Sequence, residues 1–464
     1  MRRFYLASFG CQMNLHDAER IAGILCAAGW EEADSPQDAD LVVFLTCSVR
    51  AGAEERFWGR LQSMAPLKRN RGSMFAVGGC MAQRLGVEII ERAPHVDLVF
   101  GTEQYPKLLD LLAEAQGGPV CCVDMPGLKL SSVPSRRREP FRSWVPVITG
   151  CNNFCSYCVV PYVRGRETSR PRGEILAEIE EAVNSGAKEV NLLGQNVDSY
   201  GRDLAEPESF PGLLEEVARR WPELWVRFLT SHPRDFSRGI VEVMTEHQNI
   251  CRYIHLPLQS GSDRVLAAMR RGYSLEQYLE KAEMIRRNLP DASLSTDIMV
   301  GFPGETEEDF LCTMRAVEAC RFDAAYTFIY SPRPGTEAAA SGLPEVPREV
   351  KSERFRRLAE RVKGLSYQSN RAEVGKMLEV LLEGPAPKAG KTPYNMRGRT
   401  RTNKAVNVEA GEAEAGEILK VRISAAGPWS LYATYAARDP DGGTGTKRDR
   451  PQPGRPRHGA SSPS

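Results

Sequence analysis

The sequence lacks any long hydrophobic run and any strong excess of charge of one sign. Its longest apolar stretches, residues 41–45 and 145–148, are far shorter than the roughly 20 residues that cross a bilayer, so no membrane association is expected. The formal net charge of +1 means that any RNA would bind to local basic clusters such as residues 136–138. No small-residue cleavage site follows Met1, Arg2 and Arg3, so we expect a first strand there in a cytoplasmic protein.

Disulfide bonds are a further feature that the sequence is not expected to have. A chain of 464 residues with ordinary apolar content has room for about two to four domains, each with its own core. Its 12 cysteines would be reduced in the cytoplasm, where clustered cysteines usually bind metal or take part in catalysis. The spacing of the cysteines therefore becomes the main question.

The first part of the chain alternates short apolar runs with helical patterns. Strands are predicted at residues 4–9, 40–47, 73–80 and 97–101, with helices such as 17–28 and 54–64 between them. This alternation predicts an α/β domain with a parallel sheet over residues 1–117. Residues 118–143 lose the periodicity, gather Pro, Gly, Ser and Arg, and are predicted to form a linker.

A second βα series is predicted over residues 144–373, followed by a β-rich region. The strands fall near 145–149, 189–194, 225–230, 253–258, 293–300 and 324–330, and a helix over 351–373 closes the series. Six units predict a partial or complete parallel (β/α)6 barrel of the TIM type, with its chemistry at the carboxyl ends of the strands. Residues 374–436 predict a small antiparallel β-barrel, and residues 437–464 a disordered tail.

The strongest motif is a three-cysteine loop, CNNFCSYC at 151–158, directly after the first strand of the second series. Three thiolates on so short a loop can bind three irons of a cubane cluster and leave the fourth iron open to a substrate. A zinc loop or chance clustering is the alternative, but structural zinc sites usually have four ligands in paired CxxC units, and no second pair exists. Cys151, Cys155 and Cys158 are therefore candidate metal ligands.

A second set of cysteines, Cys11, Cys47 and Cys80, is scattered in the sequence. Each falls at or just past the carboxyl end of one of the first three predicted strands, the edge of an open α/β sheet where ligands bind. Buried packing cysteines are the alternative for each one taken singly, but their shared position favours a second three-ligand site. The other six cysteines have no such pattern and are expected to be packing residues.

The three-cysteine motif, with Tyr157 before its last cysteine, resembles that of the radical SAM superfamily, whose members use S-adenosylmethionine (SAM). The run GCNNFCSYCVVPYVRGRETSR at 150–170 is similar to the methylthiotransferase family and to its branch that modifies N6-isopentenyladenosine in tRNA. Further segments extend the resemblance in order from residue 4 to about 436. They are GCQMNLHDAER at 10–20, TCSVRAGAEE at 46–55, GGCMAQR at 78–84, LLGQNVDSYG at 192–201, TSHP at 230–233, IHLPLQSGSD at 254–263, STDIMVGFPGET at 295–306 and YSPRPGT at 330–336.

The resemblance implies two [4Fe-4S] clusters, a SAM-binding one at Cys151, Cys155 and Cys158 and an auxiliary one at Cys11, Cys47 and Cys80. It implies methylthiolation at C2 of N6-(dimethylallyl)adenosine next to the tRNA anticodon, with an electron donor such as flavodoxin or ferredoxin. The C2 hydrogen is neither acidic nor part of a nucleophile, so a 5′-deoxyadenosyl radical from SAM would open the position. Sulfur would come from the open iron of the auxiliary cluster.

The resemblance also implies contacts to SAM and RNA. Gln195 would approach the methionine part of SAM, Gln259 follows the fourth strand, and Val300 and Gly301 would lie near the adenine. Each could instead be a turn or packing residue. A carboxy-terminal TRAM domain, an RNA-binding barrel, is implied by GRTRTNKAVNVEAG at 398–411.

An arginine-rich run after Tyr162 is predicted to bind RNA phosphates through Arg164, Arg166 and Arg170. Solvated arginines paired with neighbouring glutamates are the alternative. Three other functions stay open: methylthiolation of threonylcarbamoyl-adenosine in tRNA, methylthiolation of a ribosomal protein, and non-catalytic RNA binding by a protein whose cluster is structural.

Overall fold

The computed structural model describes residues 2–48, 51–125, 135–387 and 389–435. The predicted disordered tail and the centre of the predicted linker lie outside the described residues. None of the helices within these ranges is both long enough and apolar enough to span a membrane.

The first part of the chain is a six-stranded parallel sheet in the order β2-β1-β3-β4-β5-β6, with helices on both faces. The central strands are nearly continuous runs of buried residues, as expected where helices cover both faces. α1 and α5 pack on one face, and α2, α3 and α4 on the other. The elements are β1 Arg3–Phe9, α1 Gln12–Ala27, β2 Glu31–Glu32, β3 Leu41–Thr46, α2 Ala51–Arg71, β4 Met74–Gly79, α3 Cys80–Leu85, α4 Glu88–Arg92, β5 Leu98–Phe100, α5 Leu108–Glu114 and β6 Val120–Cys122.

The sheet extends into the segment 118–143 that was predicted to be a linker, so the linker starts later in the chain than predicted. β6 lies inside the segment 118–143 and adds a sixth strand, with Val120 opposite Leu98. It has only three residues at a sheet edge, too few to give a periodic signal. The first strand of the second series likewise begins at Arg142, two residues before the predicted boundary.

The second part is a partial (β/α)6 barrel, in agreement with the predicted fold class. Two parallel sheets, β7-β10-β11 and β12-β13-β14, adjoin through a parallel bridge between Val226 and Ile250 and enclose one apolar core. The elements are β7 Arg142–Pro146, β8 Ile148–Thr149, α6 Val160–Arg164, β9 Thr168–Ser169, α7 Arg172–Asn184, β10 Glu189–Leu193, α8 Phe210–Arg220, β11 Trp225–Phe228, α9 Arg238–Glu246, β12 Tyr253–His255, α10 Asp263–Ala268, α11 Leu275–Asn288, β13 Ser293–Val300, α12 Glu307–Cys320, β14 Ala324–Ile329 and α13 Arg348–Arg371.

The third part is a closed five-stranded barrel in the order β15-β16-β17-β19-β18. Buried and exposed residues alternate along its strands, and the buried ones form a separate core. Four of the strand pairs are antiparallel, as predicted, but β17 and β19 pair in parallel and close the barrel. The strands are β15 Met377–Pro385, β16 Met396–Thr400, β17 Ala405–Glu409, β18 Ile418–Ala426 and β19 Leu431–Thr434.

A buried ion cluster joins the barrel of the third part to the strands of the second. Glu189 on β10 lies between Arg142 and Arg227, with nitrogen to oxygen distances of 2.6 Å to both. Arg142 also pairs with Glu383 on β15 at 2.7 Å, and Arg227 donates to the carbonyl of Thr400 at 2.7 Å. The same two arginines therefore neutralise a core carboxylate and hold the small barrel against the core.

Candidate metal centre and cofactor site

The predicted auxiliary cysteines lie at one edge of the first sheet. β1, β3 and β4 are neighbours and end in register, because Phe9 is opposite Thr46 and Thr46 is opposite Gly79. The chain order reverses direction between β1 and β3, which is the position in open parallel sheets where ligands bind. The cysteines are Cys11, two residues after β1, and Cys47 and Cys80, directly after β3 and β4.

The three thiols of this triad interact with one another. A hydrogen bond with Cys47 is the largest influence on Cys11 and, with the charge of Arg164, lowers its pKa to about 6 against the opposing effect of burial. Burial raises the pKa of Cys80, and Cys11 adds to that rise while Arg164 opposes it. A thiolate is the form of cysteine that binds metal, and the lowered pKa of Cys11 favours that form.

Two polar side chains brace the backbone around this triad. The Asn14 amide donates to the carbonyl of Thr46 at 2.9 Å, and its oxygen lies 3.5 Å from the sulfur of Cys11. The Thr46 hydroxyl donates to the carbonyl of Gly78 at 2.7 Å and accepts from the amide of Ala82 at 3.2 Å. These bonds tie the carboxyl ends of β3 and β4 to α1, so hydrogen bonds hold the backbone that carries the three cysteines.

The three-cysteine loop follows β8 at the carboxyl end of the partial barrel. Gly150, directly before the loop, has φ +77°, and a Cβ there would lie 2.0 Å from the carbonyl oxygen of Arg166, so only glycine fits. The Gln195 side chain accepts from the Gly150 amide at 2.6 Å. In the middle of the loop, Ser156 is held by hydrogen bonds to the carbonyls of Ala268 and Met269 at 2.8 and 3.0 Å.

The thiols of this loop are crowded and largely removed from water. Burial raises the pKa of Cys151 to about 11 and that of Cys158 to about 12, and the neighbouring Cys155 adds to both rises. Metal binding would displace these protons, since thiolates are the ligands. The guanidinium of Arg271 lies against the loop, 3.2 Å from the sulfur of Cys155.

The donor sets fit cubane clusters better than single ions. Among the described residues, no three His, Cys, Asp or Glu side chains approach closely enough to hold one metal ion. Each thiolate of a cubane binds a different iron, so the sulfurs of a three-ligand set need not converge on one point. Both triads are thiol-only and each has a cationic donor beside it, as suits a cluster with negatively charged ligands.

The four predicted SAM contacts lie at the same end of the partial barrel as the three-cysteine loop. Gln195 follows β10, Gln259 lies past β12, Val300 ends β13 and Gly301 comes next. Gln259 has φ +67°, a backbone conformation that costs energy outside glycine and collects at functional sites. Gly301 has φ +73°, and a Cβ there would lie 2.4 Å from Lys351.

Unpartnered buried polar atoms collect at this end of the barrel. Within the described residues, they include the amide oxygen of Asn196, Nε2 of His232 and the hydroxyl of Tyr330. Buried polar groups in proteins nearly always have partners, so a group of orphaned ones indicates a polar ligand. These atoms fit a site for a small polar cofactor such as SAM.

The predicted RNA contacts require a correction. Arg164 is buried: its terminal nitrogens pair with Asp17, at 2.5 Å for the closer contact, and its Nε lies 3.2 Å from the sulfur of Cys80. Arg170 is mostly buried and pairs with Glu178 at 2.8 Å. Neither guanidinium is available to an RNA phosphate. Arg166 is exposed, with its guanidinium 4.5 Å from the centre of the Phe154 ring.

Sequence reasoning missed Asp17 and Arg271. Asp17 lies six residues after Cys11, within the GCQMNLHDAER segment on α1, so a buried acid facing the triad could have been suspected from its helical spacing. Arg271 lies outside every segment that resembles the family, and only the tertiary structure brings it to Cys155. Burial lowers the pKa of Arg271, but the neighbouring Tyr157, Tyr273 and Cys155 outweigh burial and raise the pKa well above its ordinary value. Arg271 is therefore a buried cation.

Three family models match the three structural parts. Residues 3–101 match Uncharacterized protein family UPF0004, residues 145–317 match the Radical SAM superfamily, and residues 371–435 match the TRAM domain. A radical S-adenosylmethionine methyltransferase, TsrM from Kitasatospora setae, has a similar fold, with a TM-score of 0.55 at 15% identity over 73% of this chain and 74% of that one. Fold and site therefore define a radical SAM enzyme, which uses SAM and an iron-sulfur cluster.

Full-length relatives narrow this class further. The tRNA-2-methylthio-N(6)-dimethylallyladenosine synthase of Acetivibrio thermocellus is 44% identical over 92% of this chain and 90% of its own. The synthase of the same name from Carboxydothermus hydrogenoformans is 44% identical over 91% of this chain and 97% of its own. The chain belongs to the tRNA-2-methylthio-N(6)-dimethylallyladenosine synthase family of radical SAM methylthiotransferases.

Proposed function

We propose that this chain converts N6-(dimethylallyl)adenosine next to the anticodon of tRNA to its 2-methylthio derivative, using two [4Fe-4S] clusters. The observation that carries the proposal is the pairing of two thiol triads in one molecule. One lies at the switch point of a parallel sheet and one at the carboxyl end of a partial barrel. The buried guanidinium of Arg164, from the helix that follows the second triad, contacts the first.

Each triad has its own role in this proposal. Cys151, Cys155 and Cys158 hold the cluster that binds SAM, and Cys11, Cys47 and Cys80 hold the auxiliary cluster. When bound, the first supplies the electron that cleaves SAM to a carbon radical, and the second supplies the sulfur. The protein fixes both ligand sets in position through the hydrogen bonds around each triad.

Residues around the barrel end orient SAM in the proposal. Gln195 fixes the start of the cysteine loop through the Gly150 amide, so strand β10 and the cluster site move as one unit. Gly301 lets the Lys351 side chain pack against the end of β13, and Val300 gives a buried apolar wall for the adenine. Gln259 lies past β12 at the same end, and we assign its side chain to SAM from this position and its φ of +67°.

RNA contacts are proposed for Arg166 and the small barrel. Arg166 is the one predicted arginine whose side chain is exposed, and it lies on the segment that follows the cysteine loop. On β18, Lys420 and Arg422 alternate with buried residues and face outward. Such basic positions on a small barrel suit the phosphates of tRNA, whose binding would then weaken as salt increases. A tRNA substrate also supports a cytoplasmic location.

Three rival functions make different predictions. A synthase for threonylcarbamoyl-adenosine would modify tRNA that carries that group, and a ribosomal-protein enzyme would modify no tRNA. A structural iron-sulfur protein would not cleave SAM. The high identity to dimethylallyladenosine synthases over nearly the full chain favours the first proposal.

The test is anaerobic reconstitution with iron and sulfide, followed by reaction with SAM and a reductant. Reduced flavodoxin or ferredoxin and dithionite would be compared as electron sources. Matched tRNA transcripts with and without the dimethylallyl group would be digested and analysed by nucleoside mass spectrometry. We expect the 2-methylthio product only from the dimethylallylated tRNA. Equal modification of both transcripts would overturn the substrate assignment.

A further inference from the structure

We propose that Arg164 and Arg271 are positioning residues that each donate a charged hydrogen bond to one thiolate of a cysteine triad and raise the reduction potential of the cluster held there. The inference rests on the proposed two-cluster function. It assigns Arg164 to the auxiliary cluster through Cys80, and Arg271 to the SAM cluster through Cys155.

The Arg164 contact is fixed from both sides. Its side chain is about 5% exposed and its terminal nitrogens are held by Asp17, which leaves Nε directed at the sulfur of Cys80 at 3.2 Å. The aliphatic surroundings of Cys80 come from Val159 and Val163, which lie on the same segment as Arg164. The segment that leaves the SAM loop therefore supplies both the apolar cover and the charged donor of an auxiliary ligand.

The Arg271 contact is fixed by three acceptors. The guanidinium donates to the sulfur of Cys155, to the hydroxyl of Tyr273 and to the carbonyl of Pro257, each at 3.2 Å. In the described part of the chain it forms no ion pair with a carboxylate. A buried cation needs an anionic neighbour, and the thiolates of a bound cluster would supply that charge.

The expected effect on the clusters follows from charge. Reduction adds one negative charge to a cluster, and a cationic donor on a ligand sulfur stabilises the reduced form more than the oxidised form. Removing the donor should therefore make its own cluster harder to reduce. Because each arginine contacts one triad, the two effects should be separable.

The experiment is a potentiometric titration of the reconstituted full-length protein, followed by EPR. Variants Arg164→Lys and Arg271→Met are compared with wild type, and Arg287→Gln is the matched control because this exposed arginine in the last turn of α11 pairs only with the exposed Glu283 among the described contacts. Lysine at 164 keeps a charge for Asp17 but lacks the planar guanidinium, in which Nε reaches Cys80 while the terminal nitrogens hold Asp17. Backgrounds carrying Cys155→Ala or Cys47→Ala assign each signal to its cluster.

We expect Arg164→Lys to shift the reduction equilibrium of the auxiliary cluster alone by about tenfold, about 59 mV for one electron. Arg271→Met should do the same to the SAM cluster alone, and Arg287→Gln should change neither. Unchanged potentials, or equal shifts of both clusters, in variants with full iron would overturn the inference. A wild-type protein with a single cluster would instead contradict the two-cluster function.

A second measurement avoids the variants, in case a substitution prevents folding. Wild-type protein labelled with 15N at its arginines is reduced and studied by pulsed EPR. Weak coupling of arginine nitrogen to each reduced cluster is expected, because the guanidinium hydrogen bonds reach the ligand sulfurs. Absence of that coupling at both clusters would overturn the inference.

Discussion

At the scale of single residues, the two triads are separate sites with separate frames. Cys155 lies on the loop after β8, held by Ser156 and Arg271, whereas Cys47 follows β3 and is framed by Thr46 and Asn14. Ser156 and Arg271 bond to none of the residues that frame Cys47, and the link between the two triads is Arg164. The two triads should therefore fail independently.

The first prediction separates the triads by function. Cys155→Ala should abolish both 5′-deoxyadenosine and the methylthio product, because SAM would lose its cluster. Cys47→Ala should leave SAM cleavage intact and abolish methylthiolation. Both products are measured by mass spectrometry, with circular dichroism to check folding because metal binding can be coupled to folding. A folded Cys47→Ala protein that still methylthiolates tRNA would show that Cys47 is no ligand.

The second prediction concerns the glycine directly before the cysteine loop. Gly150→Ala places a Cβ 2.0 Å from the Arg166 carbonyl at φ +77°, so it should cost at least about 1–3 kcal/mol and reduce iron bound at the loop. Gly173→Ala is the control, because this glycine of α7 has no atom within 4 Å of the new Cβ. The control should gain about 0.4–1 kcal/mol in thermal unfolding. Normal iron content in Gly150→Ala would refute the close-contact argument.

At the scale of elements, strand β10 is the centre of the buried ion cluster. Burial alone would raise the pKa of Glu189, but Arg227 and Arg142 outweigh it and lower the pKa to about 2. Both arginines also bond to the small barrel. The Glu189 carboxylate therefore helps to stabilise the contact between the partial barrel and the small barrel, although it does not itself bond to the small barrel.

The third prediction is a loss of stability in acid. A carboxyl whose pKa is depressed on folding stabilises the folded state above its unfolded pKa, about 4.3, and this contribution is lost as pH falls towards about 2. Glu189→Gln should cost about 3–5 kcal/mol at neutral pH, because it leaves buried arginines short of a counter-charge, and should flatten the acid dependence. Urea unfolding at several pH values measures both effects. Glu242→Gln, in an exposed pair, should change neither.

At the scale of the whole molecule, the first domain is fixed on the partial barrel by buried ion pairs. Asp17 of α1 pairs with Arg164 of α6, and Arg20 of α1 pairs with Glu178 of α7 at 3.0 Å. Asp17 and Arg20 both lie on α1, the helix that begins directly after Cys11. The chain thereby holds the two triads in one rigid arrangement across a domain boundary.

The fourth prediction is the metal content of the whole chain. Anaerobically reconstituted wild type should contain iron and sulfide for two [4Fe-4S] clusters, and Cys155→Ala or Cys47→Ala should each contain one. Metal and sulfide analysis, with EPR of the reduced proteins, measures this. Zinc in place of iron, or iron for only one cluster in wild type, would contradict the assignment of six ligands.

The sequence by itself determined the α/β parts and the small barrel, and it predicted both cysteine sets. The periodic pattern of apolar residues predicted the long strands. Strand β6 was not predicted, because three residues are too few to show such a pattern. The cysteine loop was visible because its three cysteines lie within eight residues of sequence, and Cys11, Cys47 and Cys80 because parallel strands end at one edge.

Only the tertiary structure decided which polar side chains serve these sites. Arg164, Arg166 and Arg170 look alike in sequence, but one is buried against Cys80, one is exposed and one pairs with Glu178. Burial and charge partners come from elements distant in the chain, so local sequence cannot rank them. For the same reason the contact of Arg271 with Cys155, 116 residues away in sequence, could be found only from the tertiary structure.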